Sequence, residues 1–525
     1  MLRYNFDRIF KVRGKHFPVN YLSKSKLSPF LASKVKNNLI SQPRMKKIKA
    51  AIILLLAVFF AGCEKDEPLI PEEEIPTELN KEGFAIDSYN NIIIYNGESI
   101  VINNGELILG DTIFNIETTD NELSIGKEYF TTLNGQTYRI FYTELPIVSI
   151  TTKGIEIVDT PPVKGNMHLL ETGKKPLNFF IEVELRGGVS QLYPKKSYSI
   201  ELWKDENGNE TEKKPLLGMR DDDDWILDGL WNEPIRVRDF TSHALWLEIG
   251  RVQYQNKNMT LGINRKYCEL FLNGKYKGVY YLGERIDRKQ LDLEKYNTQM
   301  EGELYKGYAW ANGVTYSGVD DFDNNYLTWS GYEAKYPKTT DKMDWSNLHG
   351  LVDFTVNSSQ ENFNNEIASK IDLDNAIDNY IFLNLLYATD NRGKNLYTGR
   401  YNSSSLYFFV PWDMDGSFGD NWKGERTDIT DKLLSNGLYD KLLNFHEFKS
   451  GVKERWNELR NNKLNTAYLK KLFRDNYEYL ERNGIYYKES LVPDITQNYS
   501  ETEIDFIESW IERRAIFLDS YFNDL

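Results

Sequence analysis

The chain has 525 residues, a formal net charge of −14 and 41% hydrophobic residues. Because a single hydrophobic core usually stops growing at roughly 250–300 residues, this length predicts two or three structural units. The acidic balance argues against a nucleic-acid partner, since binding a phosphate backbone requires clustered Lys and Arg. The five His are scattered along the chain, which disfavours a zinc site.

The N-terminus has the pattern of a targeting signal. Residues 1–44 are basic and polar, and we interpret them as a non-native extension ahead of a start at Met45. Residues 45–63 combine a charged start with an apolar run that is too short to span a membrane and ends at Ala61-Gly62-Cys63. This pattern resembles a bacterial lipoprotein signal, which makes Cys63 the predicted lipidation site and membrane anchor. The alternative is a buried apolar helix followed by an ordinary Cys.

An acidic segment and a small β module are predicted next. Residues 64–82 are rich in Pro and Glu and are predicted to form an extended linker. Its first four residues resemble the acidic tag of Bacteroidetes lipoproteins, which implies an outer-membrane lipoprotein of the cell envelope, with surface exposure as an open alternative. Residues 83–143 contain short apolar runs separated by Asn-Gly pairs, which favour hairpins. These pairs lie at Asn96, Asn104 and Asn134.

The rest of the chain is predicted to have an α+β fold. Residues 144–430 carry strand patterns, a further hairpin at Asn273-Gly274, and a helix that begins after Asp372 as its N-cap. Residues 431–525 have helical periodicity to the end and form the predicted helical C-terminal part of the same domain.

Four polar residues have the spacing of a phosphoryl-transfer centre. Asp390 is followed five positions later by Asn395, and a strand-like stretch then leads to Asp413 and Asp415 with Gly close behind. Protein-kinase-like enzymes place a catalytic base and two metal ligands in this way. Phosphoryl transfer also needs a cation on the phosphates, because the protein's main task is to neutralise charge and orient the reacting groups.

The cation is predicted in the stretch that follows Arg186-Gly187. On the strand predicted here, Lys196 shares a face with Tyr198, Ile200 and Leu202, whereas Lys195 points to the other side with Ser197 and Glu201. Lys196 is therefore predicted to reach an interior cleft. Glu284 and Glu248 are equal candidates for its ion-pair partner, and an ordinary surface carboxylate is the third reading of either residue.

Taken together, these segments resemble the CotH kinase family, the atypical protein kinases named for a spore-coat protein. The resemblance covers about Leu145 to Gly424. Its matching segments are Leu145–Thr152, Arg186-Gly187, Pro194–Tyr198, Phe271–Glu284, Asp390–Asn395 and Trp412–Gly419. It implies a minimal protein-kinase-like domain that binds ATP and Mg²⁺ and phosphorylates Ser or Thr of a protein that the sequence does not identify.

The resemblance also implies roles for individual residues. Asp390 would be the catalytic base, and Asn395 and Asp413 would be metal ligands. Asp415 would either ligate a second metal or hold the turn. Arg392 would steady the transferred phosphate. Arg186, Lys196, Glu284 and Tyr407 would belong to the nucleotide site, with Tyr407 stacking on adenine.

Other readings of these motifs stay open. Asp390 and Asn395 could simply cap a helix and form a turn. The run after Asp413 could begin a degenerate calcium loop. Four consecutive carboxylates, Asp221–Asp224, resemble a metal cluster, although like charges in a row usually form a solvated turn. The alternative function is a catalytically inactive surface scaffold whose β module binds a glycan or a protein partner.

Overall fold

The computed structural model describes residues 83–98, 100–109, 112–254, 258–297, 301–338, 340–495 and 499–525. The predicted extension 1–44, the signal peptide 45–63 with Cys63, and the linker 64–82 lie outside the described residues. None of the helices in the described part of the chain is long and apolar enough to cross a membrane.

Residues 83–143 form two small sheets. Their strands are β1 Phe84–Asp87, β2 Ile92–Tyr95, β3 Ile102–Asn103, β4 Glu106–Leu109, β5 Thr112–Asn115, β6 Glu128–Leu133 and β7 Gln136–Tyr142. The strand orders are β1-β2-β7-β6 and β3-β4-β5. The predicted hairpins at Asn104 and Asn134 are confirmed, because each Asn-Gly pair forms a two-residue loop with both φ angles positive.

The third predicted hairpin, at Asn96, is wrong. Strand β2 before it pairs in parallel with the distant β7. The side chain of Asn96 is buried, and its amide donates to the carbonyl oxygens of Leu145 (3.3 Å) and Leu170 (3.0 Å). Asn96 therefore joins the β module to the next part of the chain.

The β module shares an apolar cluster with the region that follows it. The cluster includes Ile94 and Phe141 from the module together with Phe271 and Val492 from the later chain. The Asp87 carboxylate also accepts a hydrogen bond from the backbone N–H of Tyr276 at 2.9 Å. The two regions are therefore held together by both apolar packing and polar contacts.

A closed seven-stranded barrel follows the β module. The strands of this region are β8 Ile147–Thr151, β9 Val163–Leu170, β10 Leu177–Leu185, β11 Tyr198–Trp203, β12 Lys214–Pro215, β13 Asp221–Asp222, β14 Asp224–Asp228, β15 Arg265–Leu272 and β16 Lys275–Gly283. The barrel order is β10-β11-β14-β16-β15-β8-β9, and β12 pairs with β13. The predicted hairpin at Asn273-Gly274 joins β15 to β16. Inward-facing side chains, among them Ile181, Ile200 and Trp225, fill the interior.

A five-stranded sheet and ten helices complete the described chain. The strands are β17 Glu303–Gly307, β18 Thr328–Trp329, β19 Tyr332–Tyr336, β20 Leu396–Arg400 and β21 Tyr407–Pro411. Their order is β18-β19-β17-β20-β21. The helices are α1 Arg238–Ile249, α2 Asn312–Thr315, α3 Ser346–Asn357, α4 Gln360–Glu366, α5 Leu373–Leu386, α6 Gly437–Leu442, α7 His446–Arg460, α8 Thr466–Arg482, α9 Ile485–Ser490 and α10 Glu503–Asn523.

Helix α5 is the centre of the largest apolar cluster, and nearly all of its residues are buried. Its predicted N-cap is confirmed, because the Asp372 carboxylate accepts from the backbone N–H of Asn375 at 3.1 Å. At its other end, the Arg514 guanidinium of α10 donates to the carbonyl oxygen of Asn384. The strands and helices described above confirm the predicted α+β class with a helical C-terminal region.

Candidate active site

A cavity of about 580 Å³ is lined by loops of the barrel and by residues of the five-stranded sheet. This volume is typical of a small-molecule or cofactor site. Its polar and aromatic lining includes Arg186, Ser190, Tyr193, Lys195, Asp228, Asn232, Glu233, Asp239, Lys306, Tyr308, Glu333, Asp390, Lys394, Asn395, Trp412, Asp413, Asp415 and Trp422.

Asn395 and Asp413 meet because β20 and β21 are antiparallel neighbours. Asn395 directly precedes β20, and Asp413 follows the end of β21, so the pairing of Leu396 with Pro411 places both residues at one edge of the sheet. The Asn395 amide donates to an Asp413 carboxylate oxygen at 3.1 Å. The predicted pair of metal ligands is therefore a contacting pair in the structure.

A buried amide holds this arrangement. Asn391 donates through its side-chain nitrogen to the carbonyl oxygens of Asn395 (3.1 Å) and Trp412 (2.8 Å). It thereby ties the segment before β20 to the segment after β21. The backbones of Gly307 and Gly393 also pack closely against each other here. A Cβ atom at Gly307 would collide with the carbonyl oxygen of Gly393.

Further carboxylates surround Asp413. Asp415 lines the cavity and accepts from the Asn232 amide at 2.9 Å and from the backbone N–H of Gly416 at 2.7 Å. Asp239, in the first turn of α1, accepts from the backbone N–H of Met414 at 2.7 Å and also pairs with Arg265. The turn that carries Asp413 and Asp415 is therefore anchored to α1.

The electrostatics of this cluster favour a bound cation. Burial and the charge of Asp239 raise the pKa of Asp413 to about 6. Burial and the charge of Asp413 raise the pKa of Asp415 well above its usual range. Because carboxylates that repel one another are stabilised by a metal ion, and because oxygen ligands suit Mg²⁺, the residues present fit a magnesium site.

Two cations that line the same cavity lie against the Trp412 ring. The Arg186 guanidinium and the Lys306 ammonium lie 5.3 Å and 5.7 Å from the centre of the Trp412 ring. Arg186 is also 3.8 Å from an Asp228 carboxylate oxygen. The cavity therefore combines a carboxylate cluster with a cationic wall, as a metal-bound polyphosphate requires.

Asp390 lines the cavity, and its carboxylate accepts from the Lys394 ammonium at 3.0 Å. Arg392 does not line the cavity, so its predicted position is wrong. Its guanidinium donates to the Thr389 carbonyl oxygen at 3.1 Å and lies 5.5 Å from the Trp310 ring centre. Asp390 and Arg392 lie in the same short 3₁₀ turn, Thr389–Arg392, but their side chains bond to different partners.

The predicted orientation of Lys196 is also wrong. Strand β11 begins only at Tyr198, so the strand alternation does not extend back to the preceding turn. Lys196 is partly exposed and donates to the carbonyl oxygen of Gln191 at 2.7 Å. Lys195 is instead the buried residue, and its ammonium forms an ion pair with Glu489 at 2.6 Å. Burial lowers the pKa of Lys195 to about 8, and the charge of Glu489 opposes this shift.

Neither carboxylate proposed as the partner of Lys196 contacts that lysine. Glu284 is buried and accepts from the backbone N–H groups of Arg220 (3.0 Å) and Asn264 (2.8 Å), among other donors. Glu248 is bound by Lys463 at 2.8 Å. The predicted pairing is therefore wrong: Lys196 is bonded to the carbonyl oxygen of Gln191, and the buried lysine–glutamate pair is instead the one between Lys195 and Glu489 of α9.

Tyr407 is not positioned to stack on a ligand in this cavity. It opens β21, at the end of the strand opposite to Asp413, and is buried in the core. Its hydroxyl donates to Glu303 at 2.7 Å. The assignment to the nucleotide site is therefore corrected to a core position.

The carboxylates of Asp222, Asp223 and Asp224 do lie close together. However, Lys289 pairs with Asp222 and Asp223, and Arg285 pairs with Asp224 at 2.7 Å. Asp222 is buried, so the solvated-turn reading fails for this residue, while side-chain cations already neutralise the cluster.

Sequence reasoning missed Asp239, Asp228, Lys306 and the structural amide of Asn391. Asp239 lies in the first turn of α1, where an acidic residue is ordinary. Lys306 lies within strand β17 and has no neighbouring motif. Only the fold, which joins these separate segments, reveals their common location.

Comparisons with known proteins identify the family. The model of the family described as CotH kinase protein matches residues 183–518. The chain belongs to the CotH kinase family. The matched segment contains the cavity residues described above and extends into α10, so the helical C-terminal region is part of the family domain.

Individual relatives are distant. The chain is 24% identical over 387 residues to the inner spore coat protein H of Bacillus subtilis (strain 168), which covers 70% of this chain and 93% of the relative. The crystal structure of the Helicobacter pylori proinflammatory kinase CtkA is similar at 10% identity with a TM-score of 0.23, over 62% of this chain and 94% of that chain. A TM-score this low supports no conclusion about the fold.

Proposed function

We propose that this CotH family member is an atypical protein kinase with a kinase-like catalytic arrangement. It transfers the γ-phosphoryl group of ATP to a Ser or Thr hydroxyl of a protein. The observation that carries the proposal is the contact between Asn395 and Asp413 within a carboxylate cluster that lines the same cavity as Arg186. Carboxylate ligands and a cation in one cavity match the charge pattern of a magnesium-bound nucleotide.

Asn395, Asp413 and Asp415 are the residues that would hold Mg²⁺. The Asn395 amide nitrogen is bonded to Asp413, which leaves the amide oxygen to act as a ligand. When bound, the metal neutralises charge on the β- and γ-phosphates. Asp239 supports this site by accepting from the backbone N–H of Met414, which fixes the turn between the two carboxylates.

Asp390 is the catalytic base in this proposal. Its carboxylate accepts the proton of the acceptor hydroxyl as the oxygen attacks the γ-phosphorus and the bond to the β-γ bridging oxygen breaks. Lys394, at 3.0 Å, orients that carboxylate. Arg186 binds phosphate oxygens from the barrel side, since guanidinium is well suited to phosphate.

A radiolabel-transfer assay tests the proposed function. Purified protein is incubated with γ-labelled ATP, Mg²⁺ and acidic or Ser-rich acceptor proteins. We expect label on Ser or Thr with the wild type, and a loss of at least about 100-fold in Asp390→Asn and Asp413→Asn. Asp475→Asn, a change in an exposed ion pair on α8, is the matched control. Wild-type protein that labels neither itself nor any acceptor would contradict the proposal.

We also propose that the protein is an outer-membrane lipoprotein anchored through Cys63. The support is the sequence pattern of residues 45–63, a charged start followed by an apolar run that ends in small residues before Cys. Metabolic labelling with a fatty-acid analogue tests the anchor. The Cys63→Ser variant should neither incorporate the label nor be recovered in the membrane fraction. Recovery of that variant in the membrane fraction as for the wild type would refute the anchor.

A further inference from the structure

The Arg186 and Lys306 side chains, here called the cation pair, come from separate parts of the fold. Arg186 follows β10 of the barrel, and Lys306 lies on β17 of the five-stranded sheet. Both line the cavity, and both lie within 6 Å of the centre of the Trp412 ring. Two like charges are therefore held against a single aromatic side chain.

Lys306 is partly buried, and it differs from the fully buried lysines Lys195 and Lys488 in how its charge is compensated. Lys195 is paired with Glu489 at 2.6 Å, and Lys488 is paired with Glu269. Within the described part of the chain, the Lys306 ammonium has neither an ion pair nor a hydrogen bond, and its contacts are with the rings of Tyr397 and Trp412. Because charges that are withdrawn from water are normally paired, a cavity-lining ammonium without a protein counter-ion is suited to bind an external anion.

The electrostatics agree with this geometry. Burial, and then the neighbouring charge of Arg186, lower the pKa of Lys306 to about 8, and the attraction of Asp413 opposes the shift without cancelling it. The ammonium is thus held in an unfavourable environment that a bound anion would relieve. Functional sites commonly retain unfavourable charges of this kind.

The position of Lys306 relates it to the metal ligands. Gly307, its neighbour on β17, accepts a hydrogen bond from the backbone N–H of Asn395 at 2.8 Å. Lys306 therefore lies one residue from the strand edge where Asn395 and Asp413 meet. An anion that contacts the cation pair would be adjacent to a metal held by those two residues.

We propose that Lys306, together with Arg186, binds the terminal phosphates of the nucleotide and thereby provides the cation that the sequence assigned to Lys196. This inference rests on the proposed function for the identity of the nucleotide. The chemistry recognised by the cation pair itself is a polyphosphate, which could also be an inorganic one.

Calorimetric titration tests the inference with four probes in the presence of Mg²⁺: ATP, ADP, AMP and inorganic tripolyphosphate. Wild-type protein should bind ATP more tightly than AMP. Lys306→Gln should weaken the binding of ATP and tripolyphosphate by about tenfold or more, since a charge-assisted contact is lost. It should change the affinity for AMP by less than about threefold. Lys306→Arg should retain part of the binding. Lys266→Gln, at an exposed lysine of strand β15, is the control.

Each result has a distinct meaning. The inference is wrong, while the kinase proposal stands, if the wild type binds ATP and Lys306→Gln binds ATP equally well. The same holds if Lys306→Gln lowers the affinities for ATP and AMP by the same factor. If wild type binds tripolyphosphate but no nucleotide, and Lys306→Gln weakens that binding, the cation pair is an anion site and the kinase proposal fails. Failure of the wild type to bind any probe refutes both.

A stability measurement guards against a folding defect. Because Lys306 has no ion pair to lose within the described residues, Lys306→Gln should leave the unliganded protein as stable as wild type, or slightly more stable. A clear loss of stability without ligand would assign Lys306 a structural role and overturn the inference.

Discussion

Glu489 is a buried junction between the C-terminal helices and the cavity. Its carboxylate accepts from the Lys195 ammonium at 2.6 Å, from the Arg236 guanidinium at 2.8 Å and from the backbone N–H of Val279 at 3.0 Å. The side chains of Lys195, Arg236 and Glu489 are 0%, 1% and 6% exposed. Glu489→Gln keeps the shape of the side chain but removes the charge that both cations share.

The expected cost follows from burial. Removing one partner of a buried ion pair costs about 3–5 kcal/mol, because the remaining charge stays in the interior uncompensated. The matched control is Glu206→Gln, which breaks the Lys153–Glu206 pair, whose side chains are 72% and 69% exposed. An exposed pair contributes only about 0–1 kcal/mol.

Urea unfolding of the three proteins measures the difference. We expect Glu489→Gln to lose at least about 2 kcal/mol more of unfolding free energy than Glu206→Gln. Because Lys195 lines the cavity, nucleotide binding should also weaken in Glu489→Gln. Equal stabilities of the two variants would refute the assignment of Glu489 as a buried electrostatic junction.

The pH dependence gives a second measure of the same residue. Burial alone would raise the pKa of Glu489, but Arg236 and Lys195 outweigh burial and hold it below the usual 4.5. Its contribution is therefore complete above pH 4.5 and is lost as the pH falls through the folded-state pKa. The stability gap between wild type and Glu489→Gln should therefore shrink as the pH falls below 4.5.

Three further predictions concern residues that pack behind the segments that line the cavity. Burial, and then Arg265, lower the pKa of His243 well below 6.5, so the unfolded chain takes up a proton below pH 6.5 that the folded chain does not. His243→Gln should therefore remove about 1.4 kcal/mol per pH unit of acid destabilisation below pH 6.5 in urea unfolding, and an unchanged slope would contradict this. Gly307→Ala places a methyl group against the carbonyl oxygen of Gly393, so we expect a loss of about 1–3 kcal/mol together with weaker magnesium-nucleotide binding; unaltered calorimetric binding would count against it. Asn391→Ala leaves two carbonyl oxygens without their donor and should cost about 1–3 kcal/mol in the same unfolding assay, unlike Asn461→Ala at the exposed end of α7.

The sequence predicts the metal side of the site because its parts are local. Asn395 and Asp413 flank a pair of adjacent antiparallel strands, so the chain between them is short and their contact follows from one hairpin-like pairing. The caps and Asn-Gly turns are local in the same sense, and Asp372, Asn104 and Asn134 behave as expected.

The cationic side could not be predicted in this way. Strand periodicity holds only within a strand, and it was applied to Lys196 beyond the start of β11. The partner of Lys195 is Glu489, which lies 294 positions away and is brought close only by the packing of α9 on the barrel. The hairpin predicted at Asn96 was wrong for a related reason, since the side-chain amide of Asn96 donates to distant backbone carbonyl oxygens instead of closing a turn.

Nucleotide-dependent binding of Mn²⁺, followed by electron paramagnetic resonance, tests the central claim most directly. Mn²⁺ prefers the same oxygen ligands as Mg²⁺ and reports its own binding. We predict about one ATP-dependent bound ion per chain in the wild type, a loss in Asp413→Asn, and no change in Asp224→Asn, which alters the other group of three carboxylates. Binding that survives Asp413→Asn, or that is abolished by Asp224→Asn, would contradict the assignment of the active site.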